Sequence, residues 1–118
     1  MSSSFDLVTI DSPQTDVLAS FWCAVLDLRV TQREDGDRWI VLSDVDGVRR
    51  IGLQRGTHTT GGTHLDLACV PDDFAGEIAR LLALGAVLVA PLRHEPYGSI
   101  ANLADPDGNL FDLCAYRS

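Results

Sequence analysis

Three side chains that could move a proton or hold a metal ion lie in two short segments of alternating polarity. In residues 110–116, LFDLCAY, Asp112 falls on one face, and the opposite face is wholly apolar. A carboxylate among apolar neighbours is costly unless it is hydrated, paired or bound to a metal. The segment HLDLACV begins with His64 and places Asp66 on the face of that histidine. His64 and Asp112 could form a metal-binding pair, a general base with its orienting acid, or a hydrogen-bonded structural pair.

Four further residues could line a binding site. Trp39 and Gln54 lie in two segments typical of strands, and Trp39 is either core or pocket wall because aromatic rings serve as both. Tyr97 lies in a predicted loop, where ligand contacts are common. Cys114 shares the face of Asp112, and we expect an inert thiol because no basic residue is adjacent in sequence. The candidate substrate-binding residues are therefore Trp39, Gln54, His64, Asp66, Tyr97, Asp112 and Cys114.

The composition is that of one acidic globular domain. The 118 residues carry a formal net charge of −8, which argues against nucleic acid as a partner because nucleic-acid binders need basic patches. The same charge disfavours anionic membranes, and no apolar run is long enough to span a bilayer. Residues 1–6 lack the basic and apolar regions of a signal peptide, and the three cysteines have no metal-binding spacing. We therefore expect a cytoplasmic protein with free thiols.

The order of predicted elements repeats once along the chain. A strand from Phe5, a helix and three further strands occupy residues 1–55, a Gly- and Thr-rich linker covers 56–63, and the same order follows over 64–118. The turn DVDG at 44–47 also recurs as DPDG at 105–108, which is 61 residues later. A period near half the chain predicts duplication of one βαβββ module within a single domain.

The predicted fold class is α+β. Each module would form a curved mixed sheet with its helix on the convex side, and the two sheets would leave a concave cup suited to a ligand. Strand alternation places His64, Asp66 and Asp112 in this cup, together with Gly52 and Gln54. A shift of one residue in strand register would turn any of these side chains away.

Several segments together resemble the vicinal oxygen chelate superfamily, and most closely its small glyoxalase-like (glyoxalase/bleomycin resistance/dioxygenase) domains. They are FWCAVLDL at the end of the first helix, the strand HLDLACV, LLALGA at the end of the second helix, and the final DPDGNLFDL. The resemblance covers nearly the whole chain and implies the double βαβββ fold, a small-molecule ligand and a homodimer. It does not select one activity, because the superfamily includes isomerases, dioxygenases, epimerases, thiol transferases and drug-binding proteins.

The metal enzymes of this superfamily use ligands near the start of each module's first strand and within its last strand. Carried onto this sequence, these positions are Phe5, Gly52 or Gln54, His64 and Asp112. Neither Phe5 nor Gly52 has a donor atom, whereas a catalytic zinc needs three protein ligands and a non-haem iron needs two histidines and a carboxylate. We therefore expect no metal cofactor. A divalent metal, if bound, would use His64 and Asp112, with Gln54 as an optional third ligand.

Three functions remain open at this point. The first is a glyoxalase-like protein that binds a small apolar or aromatic molecule in the cup without a complete metal site. The second is a metal-dependent lyase or isomerase of the vicinal oxygen chelate type, with His64 and Asp112 as catalytic candidates. The third is a non-catalytic structural or interaction module whose cup is filled by its own side chains.

Overall fold

The computed structural model describes residues 5–59 and 63–117. The chain divides into two compact units, Met1–His58 and Thr59–Ser118. Module one contains β1 (Val8–Ser12), α1 (Thr15–Leu26), β2 (Arg29–Glu34), β3 (Trp39–Ser43) and β4 (Arg49–Arg55). Module two contains β5 (His64–Ala68), α2 (Phe74–Ala83), β6 (Val87–Leu88), β7 (Arg93–Glu95), β8 (Gly98–Ala104) and β9 (Leu110–Tyr116). Residues 1–4, 60–62 and 118, which belong to the predicted modules and linker, lie outside the described residues.

Each module is built on one mixed sheet. In module one the strand order is β1–β4–β3–β2, with β1 parallel to β4 and the other pairs antiparallel. In module two the order is β5–β9–β8–β6, with β5 parallel to β9, and β7 also pairs with β8. In both modules the helix follows the first strand, and the connection between the two parallel strands runs through the helix and the strands after it. The predicted α+β fold of two βαβββ modules is therefore confirmed.

Two element boundaries differ from the prediction. The sequence predicts a loop over 91–97, but β7 forms there and pairs with the beginning of β8. The residues Arg-His-Glu have no apolar alternation, so this strand depends on the open edge of β8 rather than on its own pattern. The first strand begins at Val8 rather than at Phe5, because its pairing with β4 begins with Val8 and Ile51.

The core of each module lies on one face of its sheet. In module one, buried apolar side chains of α1 pack against the sheet, and these are Leu18, Ala19, Phe21, Trp22 and Val25. In module two, the predicted apolar face of β9 is buried, with Phe111, Leu113 and Ala115 each at most 2% exposed. No helix in the described part of the chain is long and apolar enough to cross a membrane.

The repeated turn has the same hydrogen-bond pattern in both modules. Asp105 Oδ1 accepts the backbone N–H groups two and four residues later, each at 2.9 Å, and its Oδ2 accepts Asn109 Nδ2 at 2.8 Å. Asp44 Oδ1 accepts the two corresponding N–H groups at 3.0 and 2.9 Å. Gly47 and Gly108 close the turns with φ values of 80° and 89°, which favour glycine. The repeated sequence is therefore matched by a repeated structure.

The two aspartates differ in their surroundings. Asp105 is buried, at 2% exposure. The side chain of Asp44 is 20% exposed, and its Oδ2 accepts Arg50 at 2.9 Å. The hydrogen bond from the Val48 N–H, supported by Arg50, holds the pKa of Asp44 below its ordinary value although partial desolvation opposes this.

Replacing the buried aspartate tests how strongly this turn stabilises module two. We expect Asp105→Ala to lower the free energy of unfolding by about 3 kcal/mol, because it leaves buried N–H groups without an acceptor. Asp44→Ala is the matched control, and its loss should be smaller because water reaches that turn. Urea denaturation of both variants would measure the difference, and equal losses would contradict the role assigned to burial.

Candidate functional site

Module two brings three polar side chains together on the face of its sheet opposite the apolar face of β9. In the parallel register of β5 with β9, Asp66 pairs with Asp112. His64 Nε2 lies 3.0 Å from Asp112 Oδ2 and 3.5 Å from Asp66 Oδ1. Because an ionised carboxylate only accepts hydrogen bonds, the Nε2–H of His64 donates to Asp112. The hydrogen-bonded pair that the sequence allowed is therefore present.

A fourth polar residue, Asn102, holds the second oxygen of Asp112. Asn102 is the cross-strand partner of Asp112 in β8, and its Nδ2 donates to Asp112 Oδ1 at 2.7 Å. The two carboxylate oxygens are thus held from the two neighbouring strands. The sequence did not identify Asn102, although it is the one polar residue in the strand segment IANLA.

Exposure separates the roles of these side chains. The side chain of Asp112 is 19% exposed, whereas those of His64 and Asp66 are 54% and 72% exposed. Asp112 is therefore a fixed acceptor, held from two sides at the sheet surface. His64 and Asp66 extend into solvent and can reorient when another molecule approaches.

A cavity of about 300 Å³ adjoins this cluster within module two. Its apolar wall comes from Val89, Ala90 and Leu110, whereas Leu103, which also adjoins the cavity, is 0% exposed. Its polar lining comes from His64, Asn102 and Asp112, and Asp66 does not belong to the lining. An apolar cavity with a few converging polar groups is the usual form of a small-molecule site.

Of the two other predicted site residues in module two, Cys114 lies on the same face of β9 as Asp112, and Tyr97 lies between β7 and β8. Cys114 is buried, at 4% exposure. Interaction with the Cys114 side chain is the main cause that raises the pKa of Tyr116, and the nearby Asp66 carboxylate adds to it. Tyr97 is 52% exposed, and its ring centroid lies 6.4 Å from that of Tyr116. Neither Cys114 nor Tyr97 lines the cavity.

The strand register identifies the residue of module one that corresponds to Asp112. Counted from the repeated turn, Gly52 belongs to the third cross-strand pair of β3 with β4, and Asp112 belongs to the third cross-strand pair of β8 with β9. Gly52, and not Gln54, therefore occupies the position of the last-strand ligand, and it offers no donor atom. Gln54 is instead the exposed cross-strand partner of Trp39.

The position in module one that corresponds to His64 also differs from the prediction. His64 lies two residues before the partner of Asp112 in β5, and Leu7 lies two residues before the partner of Gly52 in β1. Leu7 therefore replaces Phe5 as the counterpart of His64. Phe5 lies before β1 and is 75% exposed. The conclusion that module one supplies no ligand at this position is unchanged, because leucine also has no donor atom.

The indole of Trp39 covers Gly52. A Cβ atom built on Gly52 would overlap Cη2 of the indole and lie 2.9 Å from its Cζ3. A side chain at position 52 would therefore displace the ring from the space that it occupies. Trp39 itself is half-buried.

A comparison of sequences decides the family. The sequence model described as the glyoxalase-like domain matches residues 7–114. The chain belongs to this family. The resemblance to the vicinal oxygen chelate superfamily, with its glyoxalase/bleomycin resistance/dioxygenase fold, is thereby confirmed over nearly the whole chain. No curated protein sequence matches the chain significantly.

Solved structures share the fold of this glyoxalase-like domain at low sequence identity. The fosfomycin resistance protein FosX from Listeria monocytogenes is 17% identical, with a TM-score of 0.79, and the match covers 99% of this chain and 96% of FosX. A glyoxalase/bleomycin resistance protein/dioxygenase family enzyme from Burkholderia phytofirmans is 16% identical, with a TM-score of 0.79, over 98% of this chain and 100% of that one. A glyoxylase/bleomycin resistance protein/dioxygenase domain from Frankia sp. is 20% identical, with a TM-score of 0.71, over 99% of this chain and 100% of that one.

Relatives in this superfamily bind small molecules. A FosX variant, 18% identical to this chain, was solved in complex with Mn(II) and 1S,2S-dihydroxypropylphosphonic acid. At such identities the likeness shows the fold alone. The ligand chemistry of this chain therefore has to be argued from its own side chains.

The donor atoms of module two show whether this chain could hold the metal that the superfamily implies. One ligand atom each from His64, Asp66 and Asp112 lie within 4.8 Å of one another. This set of one nitrogen and two oxygens fits a divalent cation that keeps open positions. It differs from the ligand set carried over from the family, because Asp66 is an added donor and the counterparts in module one, Leu7 and Gly52, have none.

Removing the amide beside Asp112 tests how the cluster is fixed. We expect Asn102→Leu to lower the free energy of unfolding by about 1–3 kcal/mol, because a mostly buried carboxylate loses a donor. His64→Ala removes the more exposed partner, and its loss should be about 1 kcal/mol or less. Chemical denaturation would compare the two variants. A larger loss for His64→Ala would show that the imidazole, and not the amide, anchors Asp112.

Proposed function

We propose that this glyoxalase-like domain binds a small molecule with an apolar or aromatic body and a hydroxyl group in the cavity of module two, without a resident metal. The observation that carries the proposal is the junction of an apolar wall with the Asp112 carboxylate. Asp112 retains lone pairs beyond its two hydrogen bonds, so it can accept a hydroxyl proton of the ligand. His64 can donate to, or accept from, the same ligand group once it turns away from Asp112.

The cavity volume sets the size of this ligand. A space of about 300 Å³ lies at the lower end of the range for small-molecule sites, so the ligand is of the size of a substituted single ring. The apolar wall of Val89, Ala90 and Leu110 favours the body of such a molecule through burial of its surface. The polar groups at one end then fix its orientation.

Binding of p-cresol, a ring with one hydroxyl group, tests this proposal. In a ¹H–¹⁵N NMR titration we expect shifts at the amides of Val89, Ala90 and Asn102. Asp112→Asn should weaken binding about tenfold, because it removes a charged hydrogen-bond acceptor. Asp66→Asn is the matched control and should leave the affinity unchanged, because Asp66 does not line the cavity. Shifts confined to other residues would contradict the proposed site, and the absence of any shift would favour the non-catalytic structural or interaction module.

A second candidate function rests on a different observation, the convergence of His64, Asp66 and Asp112. A divalent cation held there would polarise the vicinal oxygens of a substrate, as expected of a metal-dependent lyase or isomerase. The imidazole nitrogen that now donates to Asp112 would have to lose its proton before it could coordinate. Coordination and the observed hydrogen bond therefore exclude each other.

Binding of Mn²⁺ distinguishes the two candidate functions. If the metal function holds, Mn²⁺ binds with a stoichiometry near one, and Asp66→Asn weakens the uptake at least tenfold. Electron paramagnetic resonance would measure free Mn²⁺. Uptake that is absent, or that is unchanged by Asp66→Asn, would exclude this cluster as a metal site. The opposite behaviour of Asp66→Asn toward p-cresol makes the two outcomes distinguishable.

The remaining expectations stay predictions of the sequence. They are the homodimer, the cytoplasmic location, and the absence of nucleic acid and membrane as partners. Whether the domain is an enzyme depends on the second candidate, since the first requires only binding.

A further inference from the structure

The polar end of the cavity in module two is negatively charged. Asp112 lines the cavity, and the Asp66 carboxylate lies 3.5 Å from the same imidazole nitrogen of His64 that contacts Asp112. These three side chains form the acidic cluster. It carries two negative charges when His64 is neutral and one when His64 is protonated, so it is anionic in either form of the imidazole.

In the described part of module two, no arginine forms an ion pair with the acidic cluster. The chain contains no lysine. Arg80 donates to Glu77 within α2, and Arg117 lies beyond the end of β9. Arg93 lies on the same sheet face as the cluster, as the cross-strand partner of Ile100, but it does not line the cavity. The negative charge at the polar end therefore remains for a ligand to neutralise.

The same end of the cavity offers hydrogen-bond acceptors. The two oxygens of Asp112 accept from His64 and Asn102, and both retain lone pairs. Asn102 donates through Nδ2, and no described residue bonds to its amide oxygen, which can accept a further hydrogen bond. An ammonium group has three N–H donors and no acceptor, whereas a hydroxyl group has one donor. The ammonium group therefore complements these oxygens better.

We infer that the ligand of this cavity carries a protonated amine beside its hydroxyl group, so that its class is the small amino alcohols with an apolar or aromatic body. The inference rests on the proposed function, because it concerns the same cavity and names the charge of its ligand. The ammonium group binds at the oxygens of Asp112 and Asn102, while the body packs against the apolar wall. An anionic ligand is repelled by the acidic cluster.

Three compounds with a common skeleton provide the probe. 2-Amino-1-phenylethanol, 1-phenylethane-1,2-diol and mandelate share a phenyl ring and a benzylic hydroxyl group, and near neutral pH they are a cation, a neutral molecule and an anion, in that order. In a ¹H–¹⁵N NMR titration at low salt and without added metal, we expect the amine to bind about tenfold more tightly than the diol. Mandelate should bind about tenfold more weakly than the diol.

Salt separates the contribution of charge from that of shape. Raising the ionic strength from about 20 mM to about 500 mM should bring the affinities of the amine and the diol closer together, because salt screens the attraction between charges. The affinity of the neutral diol should change little. A difference between amine and diol that salt does not reduce would contradict an electrostatic origin.

Two substitutions that each remove one negative charge assign the effect to the acidic cluster. Asp66→Asn should weaken binding of the amine about threefold and binding of the diol less, because Asp66 does not line the cavity and acts through its charge. Asp72→Asn is the matched control. Asp72 is also exposed, but it lines another cavity with Cys69 and Glu77, so this substitution should leave binding of the amine unchanged.

The outcomes distinguish this inference from the proposed function. If the amine and the diol shift the amides of Val89 and Ala90 with equal affinity at low salt, the inference is wrong and the proposed function stands. Tighter binding of mandelate than of the amine would have the same meaning. If none of the three compounds shifts these amides, the proposed function itself is contradicted, and the inference with it.

Discussion

The parallel pairing of β5 with β9 is the constraint on which the site of this glyoxalase-like domain depends. It joins the first and last strands of module two, and the crossover through α2 makes it possible. Its register places Asp66 opposite Asp112 and brings His64 within hydrogen-bond distance of the same carboxylate. A shift of one residue would turn Asp112 into the core and Phe111 out of it, so the packing of β9 and the chemistry of the site are fixed together.

The part of the site that sequence could predict is the part that follows from alternation within one strand. The apolar residues of β9 required Asp112 to face away from the core, and HLDL placed His64 and Asp66 on one face. What alternation could not supply was the pairing between strands. Asn102 became a partner of Asp112 only through the register of β8, and the choice between Gly52 and Gln54 depended on the register of β4. Strand β7 could not be predicted for the same reason. Its pairing with the edge of β8, and not the pattern of its own residues, makes this segment a strand.

The two modules share a frame and differ in the side chains on it. The two turns retain one hydrogen-bond pattern around Asp44 and Asp105, because that pattern orients the last hairpin of each module. The side chains at the site positions, 52 and 112, do not orient a hairpin in this way. Position 52 can therefore be a glycine covered by an indole, while position 112 carries a carboxylate. The residues that stabilise the fold differ from the residues that provide the chemistry of the site. A similar fold therefore gives little information about activity.

The turn at Asp105 also has a consequence for the order in which the chain folds. Its hydrogen bonds close within five residues, so β8 and β9 can pair at a small cost in loop entropy. The pairing of His64 with Asp112 must close a much longer loop that includes α2, and it becomes favourable only when the hairpin already presents an edge. We expect Asn102 and Asp112 to meet early during folding and the histidine to join them late. The binding site would then be completed by the same slow step that completes the module.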